Sequence, residues 1–112
     1  MEIKVSSLEK IKIIHILGEL NSVTSVEAEQ KIIQFIVGGN QNLLIDFSNL
    51  QYISSAGLRI FLVANKLIKK NGTGSISFCN LTGTVKEVFE ISGFQKIFRC
   101  FADIEAAKSQ LQ

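Results

Sequence analysis

Hydrophobic positions along this chain change their period several times, and each change marks a new element. Ile3 and Val5 alternate with polar neighbours, while Ile11, Ile13, Ile14, Ile16 and Leu17 form a denser β-branched run ending at Gly18. The two runs predict strands joined as a hairpin across Ser6 to Lys10. Asn21, Ser22, Thr24 and Ser25 are cap formers, with Thr24 and Glu27 at capping-box spacing. They predict a helix in which Val26, Ile32, Ile33, Ile36 and Val37 recur at helical intervals until Gly38-Gly39-Asn40 stops it. Leu43, Leu44, Ile45 and Phe47 read as a central strand, with Asp46 near its C-terminal end. A helix is predicted from Ser55 to Lys70, a turn at Asn71-Gly72-Thr73-Gly74, and a strand over Ser75 to Cys79. Thr84 and Glu87 repeat the capping-box spacing and open a third helix through Val88, Phe89 and Ile91 to Gly93. Lys96 to Arg99 predicts a short last strand. Asp103 then caps a final helix that turns Ile104, Ala107 and Leu111 inward.

The order ββαβαβαβα describes one α/β domain over residues 1–112, with a mixed sheet of four to five strands and about four helices. With 46% hydrophobic and 20% charged residues, the 112-residue chain can bury a core without staples, and disorder is not expected. Twelve Lys and Arg against ten Asp and Glu leave a formal charge of +2. The one basic stretch, Lys66, Lys69 and Lys70, is too short for a nucleic-acid footprint. No apolar run approaches the roughly 20 residues a bilayer requires, so membrane insertion is not expected. The N-terminus lacks the pattern of an export signal, which points to a cytoplasmic protein whose Cys79 and Cys100 are reduced thiols.

The segment from Asp46 to Arg59, Asp46-Phe47-Ser48-Asn49-Leu50-Gln51-Tyr52-Ile53-Ser54-Ser55-Ala56-Gly57-Leu58-Arg59, holds the candidate chemistry. A strand ends in a polar loop, and the next helix begins within Ser54-Ser55-Ala56-Gly57. First-turn amides lack intrahelical partners and carry partial positive charge, so a hydroxyl there sits in a potential anion site. A phosphate added to it would be held by those amides while changing the adjoining surface. The simpler alternative is that Ser54 and Ser55 only cap the helix. Projected at about 100° per residue, the helix separates Leu58, Phe61, Leu62, Asn65 and Ile68 from a second stripe of Ile60, Val63, Ala64 and Leu67. That second stripe faces either neighbouring helices or another protein. Asp46, just before the loop, either orients the Ser55 hydroxyl or caps a turn.

The same segment resembles the signature of the STAS domain, in particular of bacterial anti-sigma factor antagonists. Leu17-Gly18-Glu19-Leu20 upstream and Val85 to Phe94 downstream, including Ile91-Ser92-Gly93-Phe94, extend the resemblance over nearly the whole chain. It implies a small α/β domain with its helices mainly on one face of the sheet. It also implies binding to an anti-sigma factor with serine kinase activity, which frees the sigma factor, and reversal of phosphorylation by a serine phosphatase. Matched motif to motif, the phosphorylated residue is Ser55, with Ser54 as the competing acceptor. Ser54, Ser55, Ala56, Gly57, Arg59, Ile60, Val63 and Leu67 would then meet the partner, with Asp46 supporting the switch loop. Ser54 stands where many phosphorylated members carry Asp, and Ala56 replaces a frequent second serine. A second reading within the family is a STAS subunit or scaffold of a membrane transport or signalling complex, without a phospho-switch.

Catalysis is not expected. His15 is the only histidine and falls in an apolar strand, so the sequence shows no histidine-centred triad or histidine-rich metal site, and no lysine adjoins Ser55 to activate it. Glu27, Glu29, Glu87 and Glu90 follow helical spacing, as solvated faces do. Neither GxxxxGK nor GxGxxG occurs, so no nucleotide or other cofactor is implied.

Overall fold

In the computed structural model, which describes residues 1–111, β1 (Glu2–Leu8) and β2 (Ile11–Leu20) pair antiparallel around a tight turn in which Glu9 takes φ 56°. β2 then runs parallel to β3 (Asn42–Asp46), which pairs with β5 (Ser75–Cys79), which pairs with β6 (Arg99–Phe101). The order across the sheet is β1-β2-β3-β5-β6. A further strand, β4 (Leu50–Ile53), lies beside the C-terminal end of β2. Ile11 to His15 pair with β3, and Gly18 to Leu20 pair with β4 across a register shift at Gly18, whose φ is +95°. One edge of a ten-residue strand thus serves two partners in succession.

The helices are α1 (Thr24–Val37), α2 (Ser55–Asn71), α3 (Gly83–Ser92), the four-residue α4 (Phe94–Ile97) and α5 (Ile104–Leu111). Side chains alternate across the strands. Ile14, Ile16, Leu43, Ile45, Phe47, Ile76 and Phe78 face α1 to α4 in the main core. Ile11, Ile13, Leu44 and Cys79 face α5, where Ala107 is buried. Four helices therefore lie on one face, as the resemblance implied. Phe47, Phe61, Phe78 and Phe89 fill the main core with ring centroids 5.0 to 5.9 Å apart.

Several expectations require correction. Strand β4 was not foreseen, and α4 occupies part of the segment read as the last strand, so β6 begins only at Arg99. Neither capping box forms. The Asn21 carboxamide oxygen accepts from the amides of Val23 and Thr24, while Thr24 Oγ1 donates to the Glu19 carbonyl. Thr84 Oγ1 reaches the Gln51 carbonyl instead of an amide of its own helix. Val26 and Val37 are exposed, and the buried line of α1 is Ser25, Ala28, Ile32 and Ile36. The two stripes on α2 are one broad face. Gly57, Leu58, Ile60, Phe61, Ala64 and Ile68 are all buried, because Ala64 and Ile68, only about 40° apart on the helix, join them. Asp103 does cap α5, its carboxylate accepting from the Ala106 amide at 2.8 Å. Among the described residues no helix is long and apolar enough to cross a membrane.

Candidate functional site

At the start of α2, Ser54 is the N-cap, with φ −93° and ψ 174°, and its Oγ accepts from the Gly57 amide at 3.2 Å. The Ser54 carbonyl accepts from the Leu58 amide, and the Ser54 amide donates to the Leu20 carbonyl at 2.8 Å, extending the β2–β4 ladder into the helix start. Capping and pairing together fix where α2 begins. Ser55, one residue on, is exposed, and its hydroxyl makes no hydrogen bond among the described residues. The first turn carries no acidic side chain, so the partial positive charge of the helix end is not offset from within the helix.

Gly57 is the contact point of helix and sheet. A Cβ there would lie 2.8 Å from Ile53 Cγ1 and 3.0 Å from both the Cβ and the carbonyl oxygen of Leu20. Arg59 is exposed and pairs with no carboxylate among the described residues. Ala56 and Leu67 are half-buried, Val63 is exposed, and Ile60 is 4% exposed. Of the hydrophobic ridge expected to meet a partner, Val63 is the outward part, and Ile60 reaches the surface only along the groove it lines with Ala56.

Asp46 does not touch Ser55. It is 5% exposed, and its carboxylate accepts from the Ser48 amide and Oγ, both at 3.0 Å, from Asn80 Nδ2 at 2.7 Å and from His15 Nδ1 at 2.7 Å. Between the two roles open for Asp46, the geometry selects turn capping: it ties the loop after β3 to His15 in the middle of β2 and to Asn80 just past β5. Burial pushes its pKa up, but the hydrogen bonds from Asn80, His15 and Ser48 outweigh that and leave it below its ordinary value. Cys79, next to it, is pushed up to about 12 by burial and by the Asp46 charge, which keeps this free thiol protonated and unreactive.

His15 completes a chain that the sequence reading did not foresee. With Nδ1 against Asp46, its Nε2 lies 2.9 Å from Ser6 Oγ on β1. Serine, histidine and aspartate are therefore in line, although Ser6 stands exposed on an edge strand. Ser48, Asn80 and Leu20 were likewise overlooked. Their common signal is position, since residues ending adjacent parallel strands gather at one edge of a sheet.

Residues 2–107 match the model of the STAS domain family. A Bordetella bronchiseptica protein, BtrV, with a provisional description as an anti-sigma factor antagonist, is 34% identical over 107 residues, covering 96% of this chain and 91% of its own. The anti-sigma F factor antagonist of Paenibacillus polymyxa is 25% identical over 113 residues, covering 100% of this chain and 96% of its own. Among solved structures, the Bacillus cell fate determinant SpoIIAA in its phosphorylated form superposes with a TM-score of 0.75 at 20% identity, covering 99% of this chain and 100% of that one.

Proposed function

The chain belongs to the STAS domain family, and on that premise we propose that it is an anti-sigma factor antagonist operating by partner switching. The observation that carries the reading is Ser55 itself, an exposed, unengaged hydroxyl at the first position of a long helix whose start is held by Ser54, Gly57 and Leu20. Its preferred partner is an anti-sigma factor with serine kinase activity, which docks the unmodified α2 tip, including Ser54 to Gly57, Arg59 and the outward Val63, with Ile60 and Leu67 behind them. Phosphorylation of Ser55 places a charge near −2 in that contact, and a serine phosphatase restores the binding form. The names of the relatives support an anti-sigma partner, and the engagement of Ser54 in capping favours Ser55 over Ser54 as acceptor. Asp46 supports the switch loop through Ser48 without touching the acceptor.

The test is binding of the isolated anti-sigma factor to three forms of this protein. Ser55→Ala is expected to bind as the unmodified chain does, and Ser55→Asp at least tenfold more weakly, a loss of about 1.4 kcal/mol. Equal affinity of the two variants would refute the switch. Mass spectrometry of kinase-treated protein locates the phosphate, and its presence on Ser54 alone would move the acceptor.

A further inference from the structure

A groove of about 240 Å³ begins at Ala56, one residue past Ser55, and runs between the N-terminal parts of α1 and α2, lined by Ser22, Ser25, Val26 and Glu29 on one side and by Ala56, Arg59 and Ile60 on the other. On the α1 side of the groove Ser25 is 3% exposed, and its Oγ has no hydrogen-bond partner among the described residues. Arg59 extends its guanidinium without a carboxylate to meet it among the described residues. Around the helix, Arg59 lies about 40° from Ser55 and on the side of Ala56 and Ile60. Residues four apart on a helix hold their Cβ atoms about 5–6 Å from one another, within reach of both a phosphoserine and an arginine. The Gly57 and Leu58 amides are already occupied by Ser54, which leaves those of Ser55 and Ala56 as the first-turn donors facing outward.

We propose that a phosphate on Ser55 folds back into this groove and is held there by Arg59, instead of standing free in solvent. The inference rests on Ser55 being the acceptor and adds where the phosphate goes and which residue reads it. Arg59 supplies a planar fork that matches phosphate oxygens, and the α2 end supplies amides. Glu29 is the opposing charge on the same groove, and it weakens the hold. The modification thereby acts twice on a partner: it adds charge at the α2 tip, and it fills the depression that the unmodified chain presents.

The phosphate can be placed without any kinase, by translational incorporation of phosphoserine at position 55, and its second ionisation followed by 31P NMR titration of the folded protein. A held phosphate ionises below the ordinary value of about 6. Arg59→Gln is expected to raise the midpoint by about half a unit, the shift an exposed ion pair supports, and Arg59→Lys to restore part of it. Glu29→Gln is expected to lower it. Amide spectra verify that Arg59, exposed, and Glu29, half-buried, are replaced without loss of fold. A midpoint that ignores both Arg59→Gln and Glu29→Gln would overturn the latch, even if phosphorylation still controls partner binding. Conversely, a partner indifferent to phosphate would defeat the switch while leaving these midpoints to stand as measured.

Discussion

Asp46 shows how a single side chain determines the geometry of a site it does not touch. Four donors converge on a carboxylate that is 5% exposed, and they tie the ends of β3 and β5 to the middle of β2. Each charge-assisted bond contributes on the order of 1.5–3 kcal/mol while the carboxylate stays ionised, and removing the acceptor leaves the half-buried His15 and Asn80 donors unmet. Its folded pKa lies below the ordinary value of 3.8. The stabilisation is therefore complete above about pH 4 and drains away as the pH falls through the folded value. Asp46→Asn is expected to cost about 2 kcal/mol at neutral pH and to flatten the dependence of stability on pH below about 4, as urea titrations at several pH values will show. An unchanged acid limb would mean that other carboxylates carry it. Of this network, the turn-capping role was legible as one of two alternatives. The partners His15 and Asn80 were not, because they lie 31 and 34 residues away in sequence and only the parallel pairing brings them together.

For the elements, local pattern succeeded wherever one face alone decides the matter. β5 falls on Ser75–Cys79, and α3 ends at Gly93 in the left-handed conformation, φ 78°. It failed where a segment is short or its partner distant. Leu50 and Ile53 are buried while Gln51 and Tyr52 are exposed, a pattern of period three that does not read as a strand. The segment is extended because β2, past the irregularity at Gly18, has an edge left to pair. Ser54 and Asp103 cap α2 and α5 as expected, but the capping boxes expected at α1 and α3 do not form, because which polar group meets a helix start depends on where the preceding strand delivers the chain. Gly57 offers a test of this junction. In an ordinary exposed helix, alanine for glycine stabilises by about 1 kcal/mol. Here the new Cβ meets Ile53 and the backbone of Leu20 at 2.8 to 3.0 Å, so Gly57→Ala is expected to destabilise by about 2 kcal/mol. The sign of the change in denaturation midpoint separates the two cases: a stabilised variant would show that α2 does not rest on β2 at this point.

Across the whole molecule, the Ser55 hydroxyl stands apart from the core, although its neighbours Gly57 and Ile60 are buried in it. The α2 tip stands at the end of a helix whose buried face, Phe61 with Phe47 and Phe78, is locked into edge-to-face aromatic packing. Ser55 itself contributes nothing to that packing. A phosphate can therefore change what the molecule binds without changing what it is. The charges argue further that modification should stabilise the fold. A dianion at the start of a 17-residue helix with no acid in its first turn meets the positive end of the helix dipole, worth about 0.3–1 kcal/mol. Phospho-Ser55 protein is thus expected to melt about 1 to 4 °C above the unmodified chain, while binding its partner more weakly. Opposite signs for stability and affinity are the mark of a surface switch. Were the modified protein to melt lower, with amide shifts spreading from α2 into the sheet, the loss of binding would have to come from a loosened fold, and the two mechanisms are distinguished by calorimetry on the same two samples.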